Sequence, residues 1–213
     1  MGIFSGWFYT ITVLMATLIM VKGVTAMQSI RNKLELMALT VIMILSMSPV
    51  AQAATTPFGV SRWPKPRVTY VLTGSTHYRQ IYTTAIKAWN ATGQFRFVPG
   101  SAAHHQVTLG TSTATTGRYH LLAGLTLTYE QADHYFTKAQ VLLLTRNLAT
   151  YHYTTADQIH VAEHELGHVI GLQHSRDAYS VMLADNRYNH ISQADIVAVK
   201  KRYQLPVGEA STK

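Results

Sequence analysis

The sequence predicts an α+β domain in which a twisted mixed β-sheet packs on helices. Three observations predict it: several short β-branched and aromatic runs through the middle of the chain, one helical apolar repeat after the first of them, and two further helical patterns near the end. The first strand is residues 67–72, RVTYVL, preceded by prolines. Between Tyr78 and Asn90 the apolar residues Ile81, Ala85, Ile86 and Trp89 recur at helical spacing, and Gly93 follows as a stop signal. Residues 95–98, 107–109, 125–129 and 139–145 read as further strands, the last almost continuously apolar. Ser, Thr and Gly between Gly110 and Gly117 read as a surface loop. The first late helix spans residues 155–170 and is closed by Gly171. The second spans 192–203, where Ser192 with Asp195 forms a capping box and Ile196, Val199 and Tyr203 make the buried stripe.

Composition bounds the function. Of 213 residues, 47% are hydrophobic and only 13% charged, so the chain can bury a core and is not of the disordered class. It has no cysteine, which excludes disulfides, thiolate metal sites and cysteine nucleophiles; any metal must be held by His, Asp or Glu. The net charge is +8. Its basic residues are scattered, and the one cluster, Lys200-Lys201-Arg202, reads as a solvated face where cations favour a helix C-terminus. A nucleic-acid partner is therefore not expected, and the domain is expected to be a monomer.

The N-terminal quarter reads as export machinery. Residues 27–53 form a signal peptide: Met27, then Arg31 and Lys33, an apolar run to Met47, and the small-residue site Ala51-Gln52-Ala53. The mature catalytic domain is then 54–213. Ahead lies an apolar segment within residues 1–26, uncharged from Ile3 to Val21 and long enough to span a bilayer. Either translation begins at Met27, or this segment anchors the protein at the membrane and cell surface, with Lys22, Arg31 and Lys33 on the cytoplasmic side. Both readings place the domain outside the membrane, secreted or in the cell envelope.

The chemistry is concentrated in HELGHVIGLQH, residues 164–174. On a helix, His164 and His168 stand one turn apart on one face and can share one cation. Glu165 lies about 100° round, able to reach a water at that cation without ligating it. A straight helix would carry His174 out of reach, and Gly171 permits the bend that returns it. Three neutral imidazoles leave one position of a zinc ion open, the arrangement of a catalytic site.

These residues, with Ser175 after the third histidine, resemble the metzincin zinc peptidases, and within them a minimal bacterial-type matrixin. Met182, eight residues beyond His174, matches the Met-turn that places a methionine beneath the metal. Ala85–Trp89, Phe95–Val98 and Ile191–Tyr203 are similar to the first helix, second strand and last helix of matrixin domains. The resemblance implies a zincin fold with an active-site helix, a Met-turn and a C-terminal helix. It implies one catalytic Zn2+ on His164, His168 and His174, Glu165 as general base, and Gly171 and Met182 in support. The expected activity is endopeptidase hydrolysis of a protein or peptide by zinc-activated water. The substrate is expected beside an edge strand, with residues 140–145 as the candidate. The chain departs from the family at Leu183-Ala184, where Tyr-Pro is usual, and in lacking an acidic, glycine-rich insert between Gly110 and Leu142. Two alternatives stand beside this reading: a zinc hydrolase of cell-wall peptide crosslinks, and a non-catalytic zinc-binding surface protein. Tyr188 is expected to pack rather than to bind an oxyanion, and His104, His105, His120, His134, His152 and His190 are expected to be surface or loop residues.

Overall fold

The structure, a computed structural model, describes residues 55–211, together with 27–28, 31–34 and 37. The chain divides into two compact units, Met1–Gln52 and Ala53–Lys213. The apolar segment 1–26 lies outside the described residues, as does most of the signal 27–53. Among the described residues no helix is long and apolar enough to cross a membrane.

The second unit is built from five strands, β1 (Arg67–Leu72), β2 (Arg96–Pro99), β3 (Val107–Ser112), β4 (Gly124–Glu130) and β5 (Phe136–Leu144). Its helices are α1 (Thr76–Ala91), α2 (Thr145–Thr150), α3 (Thr155–Ile170) and α4 (Gln193–Gln204). The sheet runs in the order β2-β1-β3-β5-β4. Its first three pairings are parallel, and only β4 runs antiparallel, against β5. A helix over one face, with the chain passing from β1 through α1 to β2, is what parallel neighbours require. The expected mixed sheet on helices is therefore present.

Three expectations need correction. Residues 140–145 are not an edge. Residues 140–144 lie in β5, flanked by β3 and β4, and Thr145 opens α2. The apolar stretch 141–144 is the mark of a strand covered on both sides, and Val141, Leu143 and Leu144 are fully buried. The edge on the cleft side is β4, which ends the sheet opposite β2 and contributes Gly124, Leu125 and Thr126 to the cleft lining. The stripe on α4 also differs: Ala194, Asp195, Ala198, Val199 and Arg202 are buried, whereas Ile196 and Tyr203 are only half-buried. Arg202, read as part of a solvated cluster, donates instead to the carbonyls of Gly59 and Pro206 from a fully buried position. A planar fork of donors suits it to capturing chain ends in this way.

The core joins sheet to helices through Trp63, Tyr82, Trp89, Phe97, Leu109, Leu143 and Leu166, all essentially inaccessible. Burying one such side chain contributes about 1.5–3 kcal/mol. The two tryptophans also bond: the indole N–H of Trp89 donates to Glu163 O, and that of Trp63 to Val169 O, each at 2.8 Å. Trp63 thereby satisfies a carbonyl of the last turn of α3, one of the groups a helix end leaves orphaned. Tyr203 does the same for Ile170 O at 3.0 Å. The helix that carries the chemistry is thus clamped at its C-terminal end by side chains from distant segments.

Candidate metal centre

Helix α3 starts at a capping box. The Thr154 hydroxyl accepts from Asp157 N at 3.2 Å and the Asp157 carboxylate accepts from Thr154 N at 3.0 Å. The same carboxylate holds Arg187 at 3.0 Å, tying the segment after the Met-turn to the start of the helix. At the other end Gly171 has φ 112°, where a side chain would be strained, and its N–H bonds back to Gly167 O and His168 O. Beyond it, Gln173 N donates to Pro57 O at 2.8 Å and Gly59 N to Gly171 O at 3.1 Å. This strap from residues 57–59 aims the segment carrying His174 back over the helix.

The three imidazoles meet. His168 Nε2 lies 3.1 Å from His164 Nε2 and 3.3 Å from His174 Nε2. Their ligand atoms all lie within 4.8 Å of one another. The backbone sets the tautomers: His164 Nδ1 sits 2.8 Å from Val181 O and His168 Nδ1 2.9 Å from Leu172 O. A carbonyl only accepts, so each Nδ1 carries the proton and each Nε2 presents a lone pair. Lone pairs facing each other at this range repel unless a cation lies between them. Two ligands each about 2.0–2.1 Å from a tetrahedral zinc stand about 3.3 Å apart, so the trio fits that ion. Carbonyl partners behind ligating histidines are the usual outer support of such a site. Burial, and then the neighbouring imidazoles, push the His164 value down to about 3. Burial does the same to His168, bringing it to about 4. Both are therefore neutral and ready to ligate at neutral pH.

Met182 is fully buried beneath the helix. Its loop is held by Ser175 N donating to Met182 O at 2.8 Å, and by Met182 N and Val181 N donating to Ser180 Oγ and Asp195 Oδ2. A Cβ added at Gly167 would meet Met182 Sδ at 2.3 Å, so only glycine lets the two approach. Gly167→Ala is expected to destabilise the fold by about 1–3 kcal/mol through overpacking, read as a fall in denaturant midpoint at unchanged slope.

Glu165 points to β4. Thr126 Oγ1 donates to Glu165 Oε2 at 2.6 Å, and the carboxylate is only 6% exposed. Burial raises its value to about 7, the Thr126 bond opposing the rise. It shares with the three histidines the lining of a cleft of ≈ 710 Å³, whose far side includes Gly124, Leu125 and Thr126 of the edge strand. Ala184, Asp185 and Asn186 close one end. Tyr188, expected to pack, is 71% exposed.

Glu163 is also buried, and its value rises to about 7 by loss of solvent. The signs give a pH dependence for protein stripped with a chelator. Two glutamates raised from 4.5 to about 7 stabilise the fold while protonated, and that contribution is lost as pH rises through 7. Two histidines lowered from 6.5 to about 3 and 4 favour the fold while neutral, and stability is lost as pH falls below 6.5. Between 4.5 and 6.5 the opposing slopes cancel. From these four groups a flat Tm is expected across that window, with a decline on either side, measured by calorimetry in chelator.

A buried carboxylate beside three converged imidazoles, two on α3 and the third returned by the bend after it, at the floor of a cleft, defines a metallopeptidase-type centre. The family model described as Matrixin matches residues 62–204. The chain belongs to the matrixin family, zinc-dependent metallopeptidases with a metzincin-like fold. No curated protein shows a significant match. Among solved structures, "GM1 bound form of the ECX AB5 holotoxin" is similar at TM-score 0.46 and 13% identity, over 70% of this chain and 88% of that chain.

The residues named from sequence are brought together: His164, His168 and His174 converge, Glu165 shares their cleft, Gly171 makes the bend and Met182 lies below. Sequence reasoning missed Thr126, the strap at 57–59, and the pairing of His160 with His190. Residue spacing carries no signal for partners that distant.

Proposed function

We propose that this chain is a secreted zinc-dependent endopeptidase in which Glu165 is the general base. The observation that carries the reading is a single one: a buried carboxylate opens into the same cleft as three converged imidazoles, two of which have their ring protons held on Nδ1 by backbone carbonyls. Zinc held by His164, His168 and His174 supplies Lewis acidity toward the scissile carbonyl and the attacking water. The chain's own residues do the rest. An extended peptide lies along β4, whose outer edge is free to pair by main-chain hydrogen bonds. Glu165 takes the proton of the attacking water on a carboxylate oxygen and returns it to the leaving amine nitrogen. Thr126 holds that carboxylate on the β4 side, and the buried floor keeps bulk water from competing for it. Export rests on the charged, apolar and small-residue pattern of residues 27–53.

Digestion of a denatured protein and of purified cell-wall material, each with and without chelator, tests the reading. Cleavage of the denatured protein, abolished by chelator and restored by zinc, is expected. Release of wall peptides alone would move the assignment to a crosslink hydrolase. Cleavage of neither by zinc-loaded protein would leave only a binding role.

A further inference from the structure

Four residues before His164, a second pair of imidazoles repeats the geometry of the first. His160 on α3 is buried, with Nδ1 2.9 Å from Arg187 O. The carbonyl fixes the proton on Nδ1, so Nε2 presents its lone pair. That lone pair faces His190 Nε2 at 3.1 Å, with the rings at 83°. His164 and His168 stand at 3.1 Å and 83° as well. On its other side His190 Nδ1 lies 3.4 Å from Glu163 Oε2. This oxygen is buried in a residue 3% exposed and has no hydrogen-bond partner.

A neutral His190 has one proton for two demanding neighbours. On Nε2 it bonds His160, and its Nδ1 lone pair then meets the glutamate well only if that carboxyl carries a proton. On Nδ1 it meets the glutamate but leaves two Nε2 lone pairs face to face. A divalent ion between the Nε2 atoms resolves both: His160 and His190 ligate, and each Nδ1–H turns to its oxygen, Arg187 O and Glu163 Oε2. A ligating histidine backed by a carboxylate or carbonyl is the common outer arrangement of transition-metal sites. We propose that His160 and His190, backed by Glu163, form a second site for an imidazole-preferring divalent transition ion such as zinc, separate from the catalytic trio. The side chain of His190 is 73% exposed, so the remaining positions of the ion are open to water. Glu163 and His190 line a second hollow of ≈ 320 Å³ with Thr92, Ile191 and Ile196, on a different set of residues from the substrate cleft. An ion there would join α3 to the segment that supplies Ala184, Asp185 and Asn186 to the cleft.

Equilibrium dialysis against zinc alone, with metal counted per chain, tests it independently of catalysis. The wild type is expected to bind two ions, His190→Ala one, and His168→Ala one at the second site. Glu163→Gln is expected to weaken the second ion by about 10–100-fold and leave the first unchanged. His190 is largely in solvent, so its variant keeps the core, and peptidase activity of His190→Ala should persist. One ion in the wild type, or two retained in His190→Ala, overturns the proposal. In the first case His190 is held by a second proton rather than a metal.

Discussion

Glu165→Gln is expected to lower kcat by about 10²–10⁴-fold, the usual weight of a positioned general base, with KM little changed and zinc still bound. Glutamine keeps the shape of the buried side chain, and its amide oxygen can still accept from Thr126 Oγ1, which now bonds Glu165 Oε2 at 2.6 Å. Neither polarised imidazole depends on Glu165: their Nδ1 atoms bond Val181 O and Leu172 O. The substitution therefore removes proton transfer and little else. Metal content and kcat measured on one preparation check it. A variant that holds zinc and keeps wild-type turnover would remove Glu165 from its role.

His168→Ala is expected to lower zinc affinity at the catalytic site by more than the roughly 10–100-fold that an outer partner of a ligand is worth, and to bring peptidase activity to background. His168 is the middle of the trio, its Nε2 within 3.3 Å of both others. Its loss leaves only His164 and His174 at a site where three ligand atoms had converged. The fold should remain, because the clamps on α3 from Trp63, Trp89 and Tyr203 involve backbone carbonyls and not the imidazole. In chelator, Tm of the variant should match that of the stripped wild type, whereas added zinc should raise the wild type's by more, because the variant keeps only the second site. Titration of zinc against a competing dye, beside calorimetry, separates the two effects.

Much of the catalytic centre was legible because it is local. The trio and Glu165 fall within eleven residues, and helical geometry converts that spacing directly into a shared face. The bend at Gly171 and the two capping boxes, Thr154 with Asp157 and Ser192 with Asp195, are equally short-range; the second was read from sequence and the first was not. What failed was long-range. The identity of the edge strand depends on pairing order, which puts β5 between β3 and β4, and the almost continuously apolar run at 139–145 was read as an edge. The burial of Arg202 follows from carbonyls at Gly59 and Pro206 that converge only on folding. His190 looked like an isolated loop histidine because His160 is thirty residues away, and nothing in the spacing brings them together.

The most direct test of the central claim is zinc-edge X-ray absorption on the His190→Ala protein loaded with one equivalent of metal. Three imidazole nitrogens at about 2.0–2.1 Å, with a light-atom ligand completing the shell, are predicted. A shell with fewer than three imidazoles, or a shell unchanged by His168→Ala, would contradict it.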